Sequence, residues 1–545
     1  VWFAGGYYSY GDSSGAMITV NQSGTVASRI YLNRATTNDF ACTNAAGWLP
    51  SYGTNIVMYG GNATMIQWAA SGFIGSYVTI DGRTTRGWTL IANTNSGGSD
   101  CISIGEGGNS NQGGGVTNAV LDNLDLVGLN YFYSPSNCVL TPVKPVGDGI
   151  VIYPGYSAGR SVVNTVITNC AIHGFAQAFF TSSNKYVVSG VTFDHCQIYN
   201  NGSDTSNHLD LFYLTLDGPL VIRYCNIWDW SSEGIWTFNT NQFPFYIYGN
   251  VFHDKGPNAD SNGIDDCSST TVGGNAPHYV VNNTIYNLPS STWYGKTNHT
   301  FIGTNSIYEN NLFVGCNQEY KTDDTSQPPP GTWDYNYADA NILNAYNVGI
   351  DAHSLNNTGV NPLVAPGVGG DFHIVSTIGA NYPRNKGTAI TNVTDPMLGL
   401  IDFSTDPDGV SRTNGWSIGA YEYGTATGKT YAPVRKLASG VTNLIPAGAR
   451  YDVVGRYYLN GGDGNSPTAS IIQFGGTYLL TWGSTEFSAS DMSSNGTYFS
   501  PASGRPGALP SVQFTYNGAG GDLGFYLTSS TPGALVTASL QNATP

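Results

Sequence analysis

Charge is scarce in this chain. Asp, Glu, Lys and Arg make up 10% of the residues, and 20 Lys and Arg stand against 36 acids for a net charge of −16. Nucleic-acid affinity rests on Lys and Arg at phosphates, so this balance argues against nucleic-acid partners. The apolar runs fall far short of a membrane span, and no segment carries a sustained helical stripe. No CxxC pair exists and the 8 His are scattered, which excludes the common zinc frameworks. Gly (70 residues), Tyr (36), Asn, Ser and Thr fill the gap. A surface of neutral polar and aromatic groups suits glycans or close packing against a neighbour. The 8 Cys are an even number, as an oxidising exterior favours.

The local pattern is that of strands. Apolar residues rich in Val, Ile, Tyr and Phe alternate or run briefly in YVVSGVTF, PLVIRY, FPFYIYG and HYVVNNTI, punctuated by Gly, Asn, Ser and Asp. Between Ser161 and Phe313 a Cys or Asn followed two residues later by Ile or Phe recurs at positions 170, 196, 225, 250, 283 and 311, separated by 26, 29, 25, 33 and 28 residues on subtraction. A β-type repeat of this length is a solenoid whose coils bury their apolar face only by stacking. Stacked parallel strands lie about 4.8 Å apart, so equivalent residues form columns. One column is Cys170, Cys196, Cys225, Asn250, Asn283, Asn311, in which inward Asn amides can hydrogen-bond from coil to coil and Cys packs as a small apolar group. Three thiols in one column cannot all pair, and reduced core thiols are expected. A second inward column is Ile172, Ile198, Ile227, Phe252, Ile285, Phe313.

These repeats resemble those of right-handed parallel β-helix proteins, the architecture of many secreted polysaccharide lyases, pectin-degrading hydrolases and surface adhesins. The opening ITVNQSGTVASRIYLNR and YVTIDG, and the later NPLVAPGVGGDFHI, DPDGVSR and IGAYEY, resemble the first coils and closing segment of such proteins of the bacterial envelope and exterior. The resemblance implies an all-β chain. Residues 1–424 form a right-handed parallel β-helix, 425–430 a linker, and 431–545, with strand-like runs such as RYDVVGRYYL and LGFYLTS, a C-terminal β-sandwich. It also implies an extracellular, secreted or cell-surface location. Val1 then starts a mature chain whose targeting segment has been removed.

Chemistry has one candidate place. Beyond the inward Ile or Phe, one column reads Tyr199, Trp228, His253, Tyr286 and the next Asn200, Asp229, Asp254, Asn287. Asp229 and Asp254 on neighbouring coils stand near the separation of a retaining glycosidase pair, with Lys255 beside them as the one base resembling that of the uronate lyases. Glu233, Asp260, Asp265 and Asp266 nearby allow a calcium site of oxygen ligands; otherwise no cofactor or metal is expected. Asn and Asp also favour strand turns, where such a column is a turn ladder without chemistry. The rings suit either sugar faces or stacking on one another. The pectin-hydrolase set of NTD, DD, GHG and RIK is represented only by IDD (Ile264–Asp266), preceded by IHG (Ile172–Gly174).

Two functions follow. The first is an extracellular structural or surface protein, a filament subunit, surface layer or adhesin, self-associating through Val1, Trp2 and Phe3 or binding extracellular polysaccharide. The second is a secreted polysaccharide lyase or glycoside hydrolase. Missing catalytic motifs and scarce charge favour the first.

Overall fold

The computed structural model describes residues 1–423 apart from 10–15, 40–43, 45–47, 54, 61–63, 70–72, 84–85, 94–99, 106–114, 130, 135–138, 143–146, 155–160, 182–186, 202–209, 231–233, 239–242, 255–263, 268–275, 289–290, 296–305, 317, 323–330, 341–351, 368–369 and 413–414, and beyond 440 the backbone of 8 strands. For some strand residues bordering these gaps, Asp229 among them, it describes backbone alone.

Three parallel sheets wind around one core. Sheet A has 12 strands, beginning with Trp2–Phe3 and ending with Thr332–Asp334; sheet B has 11, from Gly6–Ser9 to Tyr337–Ala338; sheet C has 10, from Ile18–Val20 to Gln318–Thr322. The chain visits A, B and C in turn, so each strand pairs with the one a full coil later. Ile172, Ile198, Ile227, Phe252, Ile285 and Phe313 are register partners on sheet B. All six are at most 3% exposed, as their periodicity predicts. Each such burial contributes roughly 1.5–3 kcal/mol. Across the core Phe193 meets Phe179 and Phe212 edge-on, with ring centroids at 4.8 and 5.0 Å.

The corner between sheets A and B explains the sequence repeat. One residue there takes the left-handed conformation, with φ of 55° at Asn123, 53° at Asn169, 65° at Gly249, 56° at Asn282 and 60° at Asn310. Asn and Gly tolerate this best, and the residue that follows turns inward. His195, Tyr224 and Tyr335 occupy the same corner at φ of 54–55°. Their strain, roughly 1–2 kcal/mol each, is offset by contacts. His195 Nε2 lies 3.3 Å from the Pro407 carbonyl, Tyr224 Oη 3.2 Å from that of Thr405, and Tyr335 stacks on His353.

Inside the corner the polar column is a ladder. Asn250 Nδ2 donates to Asn283 Oδ1 at 3.1 Å, Asn283 to Asn311 at 3.0 Å, and Asn311 to Asn336 at 3.2 Å. Each amide also donates to a backbone carbonyl, of Ile222, Ile247, Val280 and Tyr308 in turn. Every side-chain polar atom of these four amides thus has a partner. Cys170, Cys196 and Cys225 continue the column as buried free thiols, and Cys101 and Cys316 are also free and buried.

Residues 352–423 close the solenoid from outside. Ile390, Ile401, Phe403 and Trp416 pack on Val221, Tyr246, Tyr248 and Val281 of sheet A, while Leu363, Phe372, Ile374 and Ile418 pack on Val251, Leu312 and Val314 of sheet B. The DPDGVSR and IGAYEY motifs tie this segment together. Asp406 accepts hydrogen bonds from the backbone of Asp408, Val410 and Glu422, and buried Arg412 donates to the Ser417, Gly419 and Ala420 carbonyls beside Glu422. At the last coil Leu355 bridges Tyr337 in parallel, and Ser354 Oγ accepts from the Asn336 N–H at the end of the ladder.

A second compact unit comprises 93–97, 129–146 and 432–545, so residues 129–146 separate from the solenoid that surrounds them in sequence. Two four-stranded antiparallel sheets form a sandwich: Val441–Ile445, Ala534–Ser539, Leu479–Trp482 and Thr485–Glu486 in one, Ile472–Gln473, Arg450–Tyr457, Gly521–Thr528 and Ser511–Phe514 in the other. Tyr131–Ser134 and Val139–Pro142 form an antiparallel hairpin in the same unit.

Candidate functional site

The outer face of sheet B carries the aromatic column in register, Tyr199 opposite Trp228, Trp228 opposite His253 and His253 opposite Tyr286. Parallel in-register strands stack the rings face to face. Tyr199 and Trp228 lie 4.3 Å apart at 3°, Trp228 and His253 5.4 Å apart at 16°, and His173 extends the stack below Tyr199 at 4.6 Å and 9°. The top is closed by Phe372 of the closing segment, 4.5 Å from His253 and 5.8 Å from Tyr286. Tyr199, Trp228 and His253 are 8%, 4% and 0% exposed. Their ring faces therefore meet one another, and little of any ring reaches solvent.

The acidic column follows the same register. Asp254 takes φ 43°, Asn287 55° and Gly315 65°, a second left-handed corner where sheet B ends. Asn287 Nδ2 donates to Asp254 Oδ1 at 2.8 Å, and His253 Nδ1 lies 2.8 Å from Asp254 Oδ2. Both carboxylate oxygens thus hold the turn. Asp229 is aligned by the Trp228–His253 pairing, but its side chain, with Lys255, Glu233 and Asp260, lies outside the described residues, and Asp265 and Asp266 are described as backbone. Among the described residues no three His, Cys, Asp or Glu side chains group as a metal site. Val1, just before the first strand of sheet A, and Trp2, on it, are 70% and 41% exposed, and Phe3 is half-buried against Trp88 at 4.8 Å.

Sequence reasoning missed a polar cluster lower on the same face. The corner between Asp81 and Trp88 is lengthened, and both Arg83 (φ 63°) and Arg86 (φ 53°) are left-handed within it. Gly82 starts it where a Cβ would stand 2.1 Å from the Asn123 carbonyl, and at Gly87 a Cβ would strike the buried Arg34 guanidinium at 2.3 Å. Held so, Arg86 donates from Nε to the Asn169 carbonyl at 3.0 Å and from Nη1 to Gln197 Oε1 at 2.5 Å. Beside it Asp125 Oδ1 lies 3.1 Å from His173 Nε2, and Thr89 Oγ1 reaches Asp125 Oδ2 at 3.5 Å. Burial, then the Asp125 charge, pushes the Tyr199 phenol well up, with Arg86 opposing. The GRTTR insertion was the one sequence signal, since the same corner takes one or two residues in every later coil.

Two further acids are perturbed on sheet A. Burial alone would raise Asp194, but the hydrogen bond with His195 and the charge of Arg223 at 2.8 Å outweigh it and hold the carboxyl at about 2. Burial, and then its register partner Asp334, pushes Glu309 up to about 7.

Residues 135–312 match the family model described as a right handed beta helix region. The crystal structure of pectate lyase Pel9A is similar over 78% of this chain and 87% of that one, at 14% identity and a TM-score of 0.34, a level that carries no argument about activity. No curated protein matches the chain. With three continuous parallel sheets around one core, the first unit has the fold of a right-handed parallel β-helix, and the second unit holds antiparallel sheets that fit a β-sandwich.

Proposed function

We propose that the chain is an extracellular structural or surface protein, a filament subunit, surface-layer component or adhesin, in which the solenoid is the scaffold. The observation that carries this reading is the outer face of sheet B, where the acid and ring columns hold the fold: Asp254 is bound into a turn ladder, and the rings stack on one another under Phe372. Scarce charge supports close packing against neighbours, because a surface of neutral polar and aromatic groups has few charges to desolvate at a contact. The proposed partner is another copy. Trp2–Phe3, Gly6–Ser9 and Ile18–Val20 are the outermost strands of the three sheets, and such edges pair with further strands. At the other end Ser354 and Leu355 lie against the last coil.

The second reading, a secreted polysaccharide lyase or glycoside hydrolase, draws its support from the Arg86, Asp125 and His173 cluster. Electron microscopy of native material separates the two. Ordered fibres or arrays labelled by an antibody to this chain support the scaffold; dispersed particles, together with depolymerisation of a polysaccharide by the purified chain, overturn it.

A further inference from the structure

The cluster of Arg86, Thr89, Asp125, His173, Gln197 and Tyr199 meets the lower end of the ring stack at His173 and Tyr199, and its Arg86, Thr89 and Asp125 belong to neither the ring column nor the acid column. Its geometry is costly to build. Two non-glycine residues of this corner, Arg83 and Arg86, are left-handed where the later coils have one, and each adds backbone strain. The corner carries Arg86 past the intervening coil to Asn169 and Gln197, so one cation is fixed over a floor formed by other coils. Gln197, His173 and Tyr199 make that floor at 2%, 6% and 8% exposure. Arg86, Thr89 and Asp125 are half-buried and face solvent at its rim.

We infer that this cluster is a binding site for a neutral sugar residue, with Asp125 accepting from vicinal hydroxyls and Arg86 donating to them. The charge decides the ligand class. One guanidinium and one carboxylate leave the rim without net charge, and the chain as a whole carries −16, so an acidic glycan meets repulsion with no surplus cation to offset it. A sugar diol presents donors and acceptors together, as the rim does. The faces of His173 and Tyr199 are stacked and the two residues are nearly buried, so recognition is by hydrogen bonds at the rim and not by stacking.

This site deepens the surface-protein reading by naming a glycan, yet it does not depend on assembly. The test is calorimetric titration of dispersed full-length protein with hexasaccharides of glucose, xylose, mannose and galactose, and with oligogalacturonate as the acidic probe. Saturable binding of at least one neutral hexasaccharide is expected, at least tenfold tighter than oligogalacturonate. Asp125→Ala and Arg86→Ala should each weaken it tenfold or more, Asp125→Asn less because it keeps an acceptor, and Asp254→Asn should leave it unchanged. A variant that loses the native near-ultraviolet dichroism is replaced by Thr89→Val, which removes a rim hydroxyl and should weaken binding several-fold. Absence of neutral-sugar binding, preference for the acidic probe, or wild-type affinity in the folded rim variants would overturn the inference. Failure to form fibres would bear on assembly and leave this result standing.

Discussion

Replacing Asn283 by Ala interrupts the amide ladder at its centre, and the structure gives the cost. The side chain makes four hydrogen bonds: Oδ1 accepts from the Asn250 backbone N–H and from Asn250 Nδ2, each at 3.1 Å, and Nδ2 donates to the Ile247 carbonyl and to Asn311 Oδ1, each at 3.0 Å. After truncation Asn250 Nδ2 keeps Ile222, and Asn311 Oδ1 keeps the Asn283 backbone N–H. The Asn250 N–H loses its partner at a residue that is 0% exposed. That orphan costs about 1–3 kcal/mol and the three other lost bonds about 1 kcal/mol each, so the expected loss is about 4–6 kcal/mol. Urea unfolding followed by tryptophan fluorescence measures it as a lower midpoint. Because solenoid coils couple mainly to neighbours, hydrogen exchange should report the loss in coils around residues 222–336 before the first coils. A loss under about 1 kcal/mol with unchanged slope, or a gain for Asn283→Leu, would refute the ladder as a source of stability.

Glu309 gives a pH signature. Its carboxyl gives up its proton near the ordinary 4.5 when unfolded but near 7 when folded, so the folded state binds more protons between those values and stability falls as pH rises across them. Glu309→Gln should flatten that fall and gain, after discount for solvent screening at a half-buried site, about 1 kcal/mol at pH 8; parallel pH profiles of wild type and variant would contradict it. Asp194 works with the opposite sign. Its folded carboxyl sits at about 2 against 3.8, so its contribution is present above 3.8 and lost as pH falls toward 2, and Asp194→Asn should lower the urea midpoint at pH 7 more than at pH 2.5. The five buried thiols at 101, 170, 196, 225 and 316 should resist a thiol reagent in the native state and react on unfolding; no gain in reactive thiol after denaturation would place them in bridges.

The inward columns were legible because a buried position in a stacked coil admits few residues: Ile172 through Phe313 and Cys170 through Asn311 each return once per coil. Asn336 belongs to the same ladder yet escaped the pattern, since Ala338 stands where Ile or Phe was sought. The outer faces were less legible. Alternation places Tyr199, Trp228 and His253 outward, but nothing local shows that Phe372, over a hundred residues later, closes the stack. The motifs of the closing segment were visible, while their packing on sheets A and B depends on long-range contacts. Arg86 and Asp125 went unnoticed because their partners are 111 and 48 residues distant, on other coils, and because an Arg in a loop carries no periodic signal.

The central claim is that the acid column of sheet B serves the fold. Asp254→Asn tests it most directly, because Asn keeps an acceptor for Asn287 and suits the left-handed corner, while it removes the charge that acid–base or nucleophilic chemistry requires. With wild type and variant compared on a panel of polysaccharides and in urea unfolding, the account predicts unchanged chain-cleaving activity, if any is detected, and a stability within about 1 kcal/mol of wild type. Loss of a measurable polysaccharide-cleaving activity by orders of magnitude in a folded Asp254→Asn protein would contradict it and make Asp254 a catalytic residue.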